Sequence, residues 1–143
     1  MIGELNRGEI EQLLMRGTLG RIGCHAEGRV YIVPVTYAYD GECVYAHSAD
    51  GLKIRTMRAN PRVCFEVEDV ADLDHWSTVI AWGEYQELSG TDEERAAKLL
   101  LSRLGPNRTS ATAQPRFHGI AQPLARTTLF RIQLTEKTGR FER

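Results

Sequence analysis

A chain of 143 residues carrying 18 Lys and Arg against 19 Asp and Glu, with a formal net charge of −1 and 42% hydrophobic residues, can build one sizeable core but not separate cofactor and substrate domains. The balanced charge and the lack of a basic tail leave no electrostatic footprint for nucleic acid. Met1 to Arg7 has no apolar signal core, and no apolar run approaches the roughly 18 residues of a membrane helix, so the expectation is a soluble cytoplasmic protein whose deep ligand pocket is shared with a second subunit.

Asn6 with Glu9 three residues on predicts a helix start with a reciprocal cap, and Leu5 and Ile10 form a candidate staple. Ile10, Leu13 and Leu14 share one face, and Gly17 is the natural stop. Thr18 to Ala26 predicts a strand that Glu27-Gly28 turns into the run Tyr31 to Tyr37. Pro34 cannot donate to a ladder, so that run requires an edge, a bulge or a ligand where the bond is missing. Asp40-Gly41 tolerates the positive φ of a tight turn and predicts a hairpin between Tyr31–Tyr37 and the run Glu42 to Ala46. Asp50 or Ser48 is placed to cap a short helix from about Gly51 to Ala59, which Pro61 cannot extend.

Arg62 to Val67 predicts a further strand with Val63, Phe65 and Val67 on one side. Glu68 to His75 reads as an acidic, polar loop. Ser77 to Leu88 predicts a long strand bent or bulged at Gly83. Thr91-Asp92-Glu93-Glu94 reads as a capping box opening a helix that carries Ala97, Leu100, Leu101 and Leu104 and ends before Gly105-Pro106. Residues 107–126, with Pro115 and Pro123, read as a long loop, and Thr128 to Leu134 as a sixth strand. Six antiparallel strands with few helices predict a mainly β fold, a small closed or nearly closed barrel with peripheral helices.

Cys24, Cys43 and Cys64 are odd in number and lie in strand-like runs, which suits reduced, buried thiols better than a metal site. The chain has no strand-following G-x-G-x-x-G, no G-x-S-x-G and no H-E-x-x-H. What it does have is a strand ending at His47-Ser48, a glycine at position 51 and a helix opening on Lys53. First-turn N–H groups, the positive end of the helix dipole and a nearby ammonium make a site for a dianionic phosphate. Arg55 and Arg58 suit a solvated helix face, whereas Lys53 lies in the first turn. His47 alone also fits a hydrogen-bonded strand end. Tyr37, Trp82 and Tyr85 suit barrel packing better than stacking on a ligand ring; His25 and His75 have no evident partner, and Arg116, Phe117 and His118 could reach a partner subunit's site.

Four ordered pieces resemble the pyridoxamine-phosphate-oxidase-like flavin-binding split barrels, in the branch that includes nitroimidazole-resistance proteins. They are Tyr31 to Tyr37 with Asp40-Gly41; Tyr45 to Ser48 with Gly51 and Lys53; Asn60 to Phe65; and Phe130 to Ile132 with Thr138 to Arg140. With Trp76 to Leu88 they span most of the chain. The resemblance implies a six-stranded antiparallel Greek-key split barrel that binds one FMN per subunit at a homodimer interface. It implies that His47, Ser48 and Lys53 hold the FMN phosphate, that Val35, Thr36 and Tyr37 lie against the isoalloxazine ring, and that Trp76-Ser77-Thr78-Val79 adds a flavin contact. The oxidase proper has arginine and glutamine where this chain has Ser77 and Thr78. That departure points away from pyridoxamine-phosphate oxidation and toward a nitroimidazole-type or other flavin reductase.

The leading expectation is therefore an FMN-dependent oxidoreductase that uses NAD(P)H, visiting transiently, to reduce a small organic acceptor or oxygen, with no metal and with its catalytic residues unassigned. The sequence shows no evident general acid, which suits chemistry supplied by the cofactor. The alternative is a non-catalytic carrier or sensor of flavin, haem or a deazaflavin.

Overall fold

In the computed structural model, which describes residues 1–105 and 127–143, the strands are β1 (Ile2–Glu4), β2 (Leu19–Ala26), β3 (Arg29–Thr36), β4 (Ala38–Tyr39), β5 (Cys43–Ala49), β6 (Arg62–Asp72), β7 (His75–Glu87) and β8 (Thr127–Glu142). The helices are α1 (Arg7–Arg16), α2 (Leu52–Ala59) and α3 (Gly90–Leu104). The strands form one antiparallel sheet in the order β3-β2-β6-β7-β8-β5-β4, with β1 beside β8. β3 and β4 are the two ends of that path, yet only Tyr37 separates them in the chain. The sheet must curl until its edges meet, which makes an antiparallel barrel split between β3 and the β4–β5 hairpin. The six expected strands are present, joined by the short β1 and β4. The expected loop 107–126, with Arg116, Phe117 and His118, lies outside the described residues.

Tyr37 closes the curl. It is fully buried, its hydroxyl donates to the Leu14 carbonyl at 2.8 Å, and its ring meets Phe65 edge-on with centroids 4.8 Å apart. Two residues on, the Tyr39 hydroxyl donates to Glu11 at 2.7 Å, and Lys137 donates to Glu11 at 2.7 Å and to the Tyr39 oxygen at 3.0 Å. α1, β4 and β8 are thereby tied together. Burial pushes the Glu11 carboxyl up, but the hydrogen bonds from Lys137 and Tyr39 outweigh it and hold the group below its ordinary range. A carboxyl depressed in the folded state contributes fully above its unfolded value of about 4.3 and loses that contribution as pH falls through the folded value. Thermal melts should therefore show Glu11→Gln less stable than the parent at pH 7, with the gap closing toward pH 3. A gap that does not change with pH contradicts this reading.

Several local expectations hold. The Asn6 side chain accepts from the Glu9 N–H at 2.9 Å, the Glu9 carboxylate accepts from the Asn6 N–H at 3.0 Å, and Leu5 and Ile10 are buried. Asn6→Ala should cost about 1 kcal/mol in urea melts. The register of β7 against β8 slips between Trp82 and Gly83, and a Cβ at Gly83 would collide with the Gln133 carbonyl oxygen.

Other expectations are corrected. The Asp40-Gly41 turn forms, with the Asp40 carboxylate accepting from the Glu42 and Cys43 N–H groups at 2.8 Å, but it joins only β4 to β5. β3 instead pairs with β2 from Leu19↔Thr36 to Ala26↔Arg29. The cause is the Glu27-Gly28 turn, where φ is +53° and +78°, the double positive φ of a type I′ hairpin. Pro34 accordingly sits on an edge strand. The stretch Glu68 to His75 is no loop: β6 and β7 continue through Glu68↔Thr78, Asp69↔Ser77 and Val70↔Trp76 to a tip at Leu73-Asp74. That arm is solvated, so it shows no inward-outward alternation to read.

The last strand runs on to Glu142, because Gly139 leaves room for Leu5, whose Cδ1 would be 2.8 Å from a Cβ there. The capping box at Thr91 is absent; α3 begins at Gly90, whose φ is +60°, after Ser89, and buries Ala96, Leu100 and Leu104 against Leu129 and Ala38. All three thiols are free; Cys24 and Cys43 are buried, while Cys64, between inward Val63 and Phe65, faces outward.

Candidate functional site

Along β5 the side chains alternate, so Val44, Ala46 and Ser48 point into the barrel. His47 falls on the other side, opposite its partner Leu129, which packs under α3. The chain then turns through Asp50 and Gly51 into α2. Gly51 is the N-cap, and no side chain caps the helix. This corrects the expectation that Asp50 or Ser48 would cap: Asp50 lies 3.6 Å from Arg58, and the Ser48 hydroxyl donates to the Ala49 carbonyl at 2.9 Å.

Lys53, the second residue of α2, reaches back and donates to the Ser48 hydroxyl oxygen at 2.6 Å. Its ammonium is half-buried, and among the described residues no carboxylate is within ion-pair range. Burial pulls its pKa below the ordinary lysine value, partly offset by the nearby Cys24 thiol. An ammonium taken partly out of water beside a neutral hydroxyl is costly unless an anion joins it. Arg58, by contrast, is already engaged by Glu87 and Asp50, and Arg55 is exposed on the solvent face.

Of the segment Val35-Thr36-Tyr37, Val35 and Tyr37 face inward at 5% and 0% exposure and only Thr36 points out. Tyr37 is thus a packing residue, and the segment can meet a ligand through Thr36 and the free backbone edge of β3. Trp76 and Ser77 lie elsewhere. They pair with Glu142 and Phe141 at one end of β8, whereas Ser48 pairs with Thr128 at the other. The separation along the strand is on the order of 45 Å at about 3.3 Å per residue. The predicted set therefore divides into a Ser48–Lys53 corner and a distant Trp76–Ser77 group; one chain does not bring them together.

The outer face of the sheet carries a feature the sequence reading missed. Val30 and Ile32 on β3 are 73% and 67% exposed, and Trp82 and Ile80 on β7 are 41% and 39% exposed. Val30, Ile32 and Trp82, with Gly23 and Cys64 in register with Ile32 and Trp82, line a shallow apolar depression of about 350 Å³. Trp82 is thus an outward residue, while Tyr85 does pack inside, 5.2 Å from Phe130 between ring centroids. The available signal was that Tyr31 to Val35 is apolar at every position, the pattern of a strand covered on both faces. A larger cleft of about 490 Å³ between α1 and β6 is lined by Arg16 and Arg21. Both are already matched by carboxylates, Asp69 at 3.1 Å and Glu68 at 3.3 Å, so it lacks the unpaired cation that marks the Lys53 corner.

Among the described residues no three His, Cys, Asp or Glu side chains form a metal-binding group, and no helix is long and apolar enough to cross a membrane. The family model described as pyridoxamine 5'-phosphate oxidase matches residues 6–141. The chain belongs to that family. A protein of Rhizobium meliloti is 38% identical over 87 residues, a match that takes in 61% of this chain and 58% of that one.

Among solved structures, an FAD-binding protein of Mesorhizobium loti is 28% identical, covers 100% of this chain and 99% of its own, and superposes with a TM-score of 0.78. A 5-nitroimidazole antibiotic resistance protein of Bacteroides thetaiotaomicron shares the fold at 17% identity and a TM-score of 0.74, with 99% of this chain and 87% of that one covered. An FAD-binding protein of Mycobacterium smegmatis does so at 23% identity and 0.70, over 98% and 100% of the two chains. The split barrel of the pyridoxamine 5'-phosphate oxidase family is thus the fold of this chain, and the curled sheet with its edges joined at Tyr37 is its local expression.

Proposed function

We propose that this protein binds a flavin by its phosphate at the Ser48–Lys53 corner, works as a homodimer, and is an FMN-dependent oxidoreductase that reduces a small organic acceptor with NAD(P)H. The observation that carries the reading is the half-buried Lys53 ammonium, which among the described residues has a hydroxyl for a partner and no carboxylate. It stands at the uncapped start of α2, where backbone N–H groups also favour an anion. The description of the Mesorhizobium relative as FAD-binding supports the flavin class. FMN and FAD share the phosphate on the ribityl chain, so the corner serves either, and the two are to be titrated side by side.

The separation of the expected site residues supports a dimer. Trp76 and Ser77 reach a flavin held at Lys53 only if a second copy supplies them, and the outward row Ile32, Gly23, Cys64 and Trp82 gives such a copy an apolar surface to cover. A bound flavin supplies the hydride chemistry. This chain's residues hold the phosphate, present Thr36 and the open β3 edge to the ring, and exclude water by pairing the two barrels. Thr78, held by Glu66 at 2.9 Å, is engaged within its own chain.

The test is absorption and fluorescence titration with FMN, FAD and riboflavin, followed by anaerobic addition of NADH or NADPH. Tight quenching with FMN, weak quenching with riboflavin and bleaching by either coenzyme support the reading. No quenching with either nucleotide removes the flavin, and stoichiometric flavin that neither coenzyme reduces replaces the oxidoreductase with a carrier or sensor.

A further inference from the structure

The β6–β7 arm projects past Trp76, the last β7 residue paired with β8, as a two-stranded tip. Every residue from Glu68 to Asp72 is exposed, Val70 at 54%, and Leu73 at the tip is 88% exposed. The Asp72 carboxylate turns the tip by accepting from the Asp74 N–H at 2.8 Å and also contacts His75 at 2.8 Å, while the Asp74 carboxylate has no ion pair among the described residues.

At the far end of the barrel, a cleft of about 350 Å³ lies between the β2–β3 turn and α2. Ala26, Leu52 and Ala59 give it an aliphatic floor, and Arg29, Arg55 and Glu27 stand at its rim. Neither arginine has an ion pair among the described residues.

We propose that in a dimer of this chain each copy's arm tip seats in the partner's cleft, with Leu73 on the aliphatic floor and Asp74 against the Arg29 and Arg55 guanidinium groups. The proposal deepens the dimeric flavin reading and rests on it. Three observations favour a second copy as the occupant. The first is charge: an acidic tip carrying one exposed leucine matches a cleft of mixed polarity whose aliphatic floor is rimmed by two unmatched arginines and one glutamate.

The second is placement. Asp74 is three residues, about 10 Å at strand spacing, from Ser77, and Arg55 stands on the same short helix as Lys53, so a seated tip carries Trp76 and Ser77 toward the α2 end of the partner. The third is symmetry. A two-fold operation that sets one tip in one cleft sets the other likewise, and with the outer faces stacked antiparallel it lays the outward Val70–Trp76 pair over the partner's Cys64–Trp82 row.

The experiment is a charge swap on the full chain, read by sedimentation velocity with and without FMN. Asp74→Arg and Arg55→Asp are both at exposed positions, and melting curves verify that each variant folds. Each single variant is expected to raise the dimer dissociation constant at least about tenfold, and the combined variant to return within about threefold of the parent, as a direct charge pair requires. Leu73→Ser should weaken the dimer without rescue by either charge change. Single variants that dimerise like the parent, a combined variant whose losses add, or a monomeric parent would each overturn the proposal. The two readings fail separately. A swap-rescued dimer that binds no FMN keeps the arm contact and loses the flavin, whereas an FMN-binding dimer indifferent to the swaps loses the arm contact alone.

Discussion

Replacing Lys53 with methionine should weaken FMN binding by about 1.5–3 kcal/mol, roughly 10- to 150-fold, the range for a hydrogen bond to a charged group. Methionine keeps the apolar stem against the barrel while deleting the ammonium, so the change isolates charge from packing. Riboflavin, which has no phosphate, serves as the internal control: its affinity should be the same for parent and variant. Because the Ser48 hydroxyl is held by Lys53 at 2.6 Å, Ser48→Ala should show a smaller loss in the same direction. Equal losses for FMN and riboflavin would place the phosphate away from this corner.

Phe65→Ala should destabilise the fold by about 3–5 kcal/mol, the usual cost of deleting a fully buried aromatic ring, read as a lower urea midpoint with an unchanged slope. Phe65 has 0% exposure and supports the edge of Tyr37 at 4.8 Å. Its ring also fills the space left by Gly20, where a Cβ would lie 2.8 Å from the Glu66 carbonyl oxygen. The loss is therefore a cavity plus a broken aromatic contact at the joint between the sheet edges, and neighbouring side chains have little freedom to refill it. A loss below about 1 kcal/mol would mean that the site collapses, contrary to the close packing described.

What the sequence made legible follows the reach of local chemistry. Asn6 and Glu9 announce their cap because both partners lie within one turn, and Gly83 announces its bulge because no other residue tolerates that approach to a carbonyl. The six main strands along the chain and the helix opening on Lys53 were readable from local patterns. Three features were not. Asp40-Gly41 announces a hairpin but not its partner: the one-residue break at Tyr37 gives that turn to β4, while β3 keeps the pairing with β2 that Glu27-Gly28 sets. The β6–β7 arm reads as a loop because strands with solvent on both faces lose the alternation that identifies them. The separation of Ser77 from the Ser48–Lys53 corner is a long-range property of β8, and no spacing in the sequence records which end of a strand a residue occupies.

The one-residue joint at Tyr37 sets a rule for how this domain tolerates changes in length. Ala38 faces the α3 cluster and Tyr39 the main core, so an extra residue between Thr36 and Ala38 would reverse the pleat and exchange their destinations. A library of random single-codon insertions, selected for soluble expression, should be empty at this seam and populated at the open Asp40-Gly41 corner only a few positions downstream.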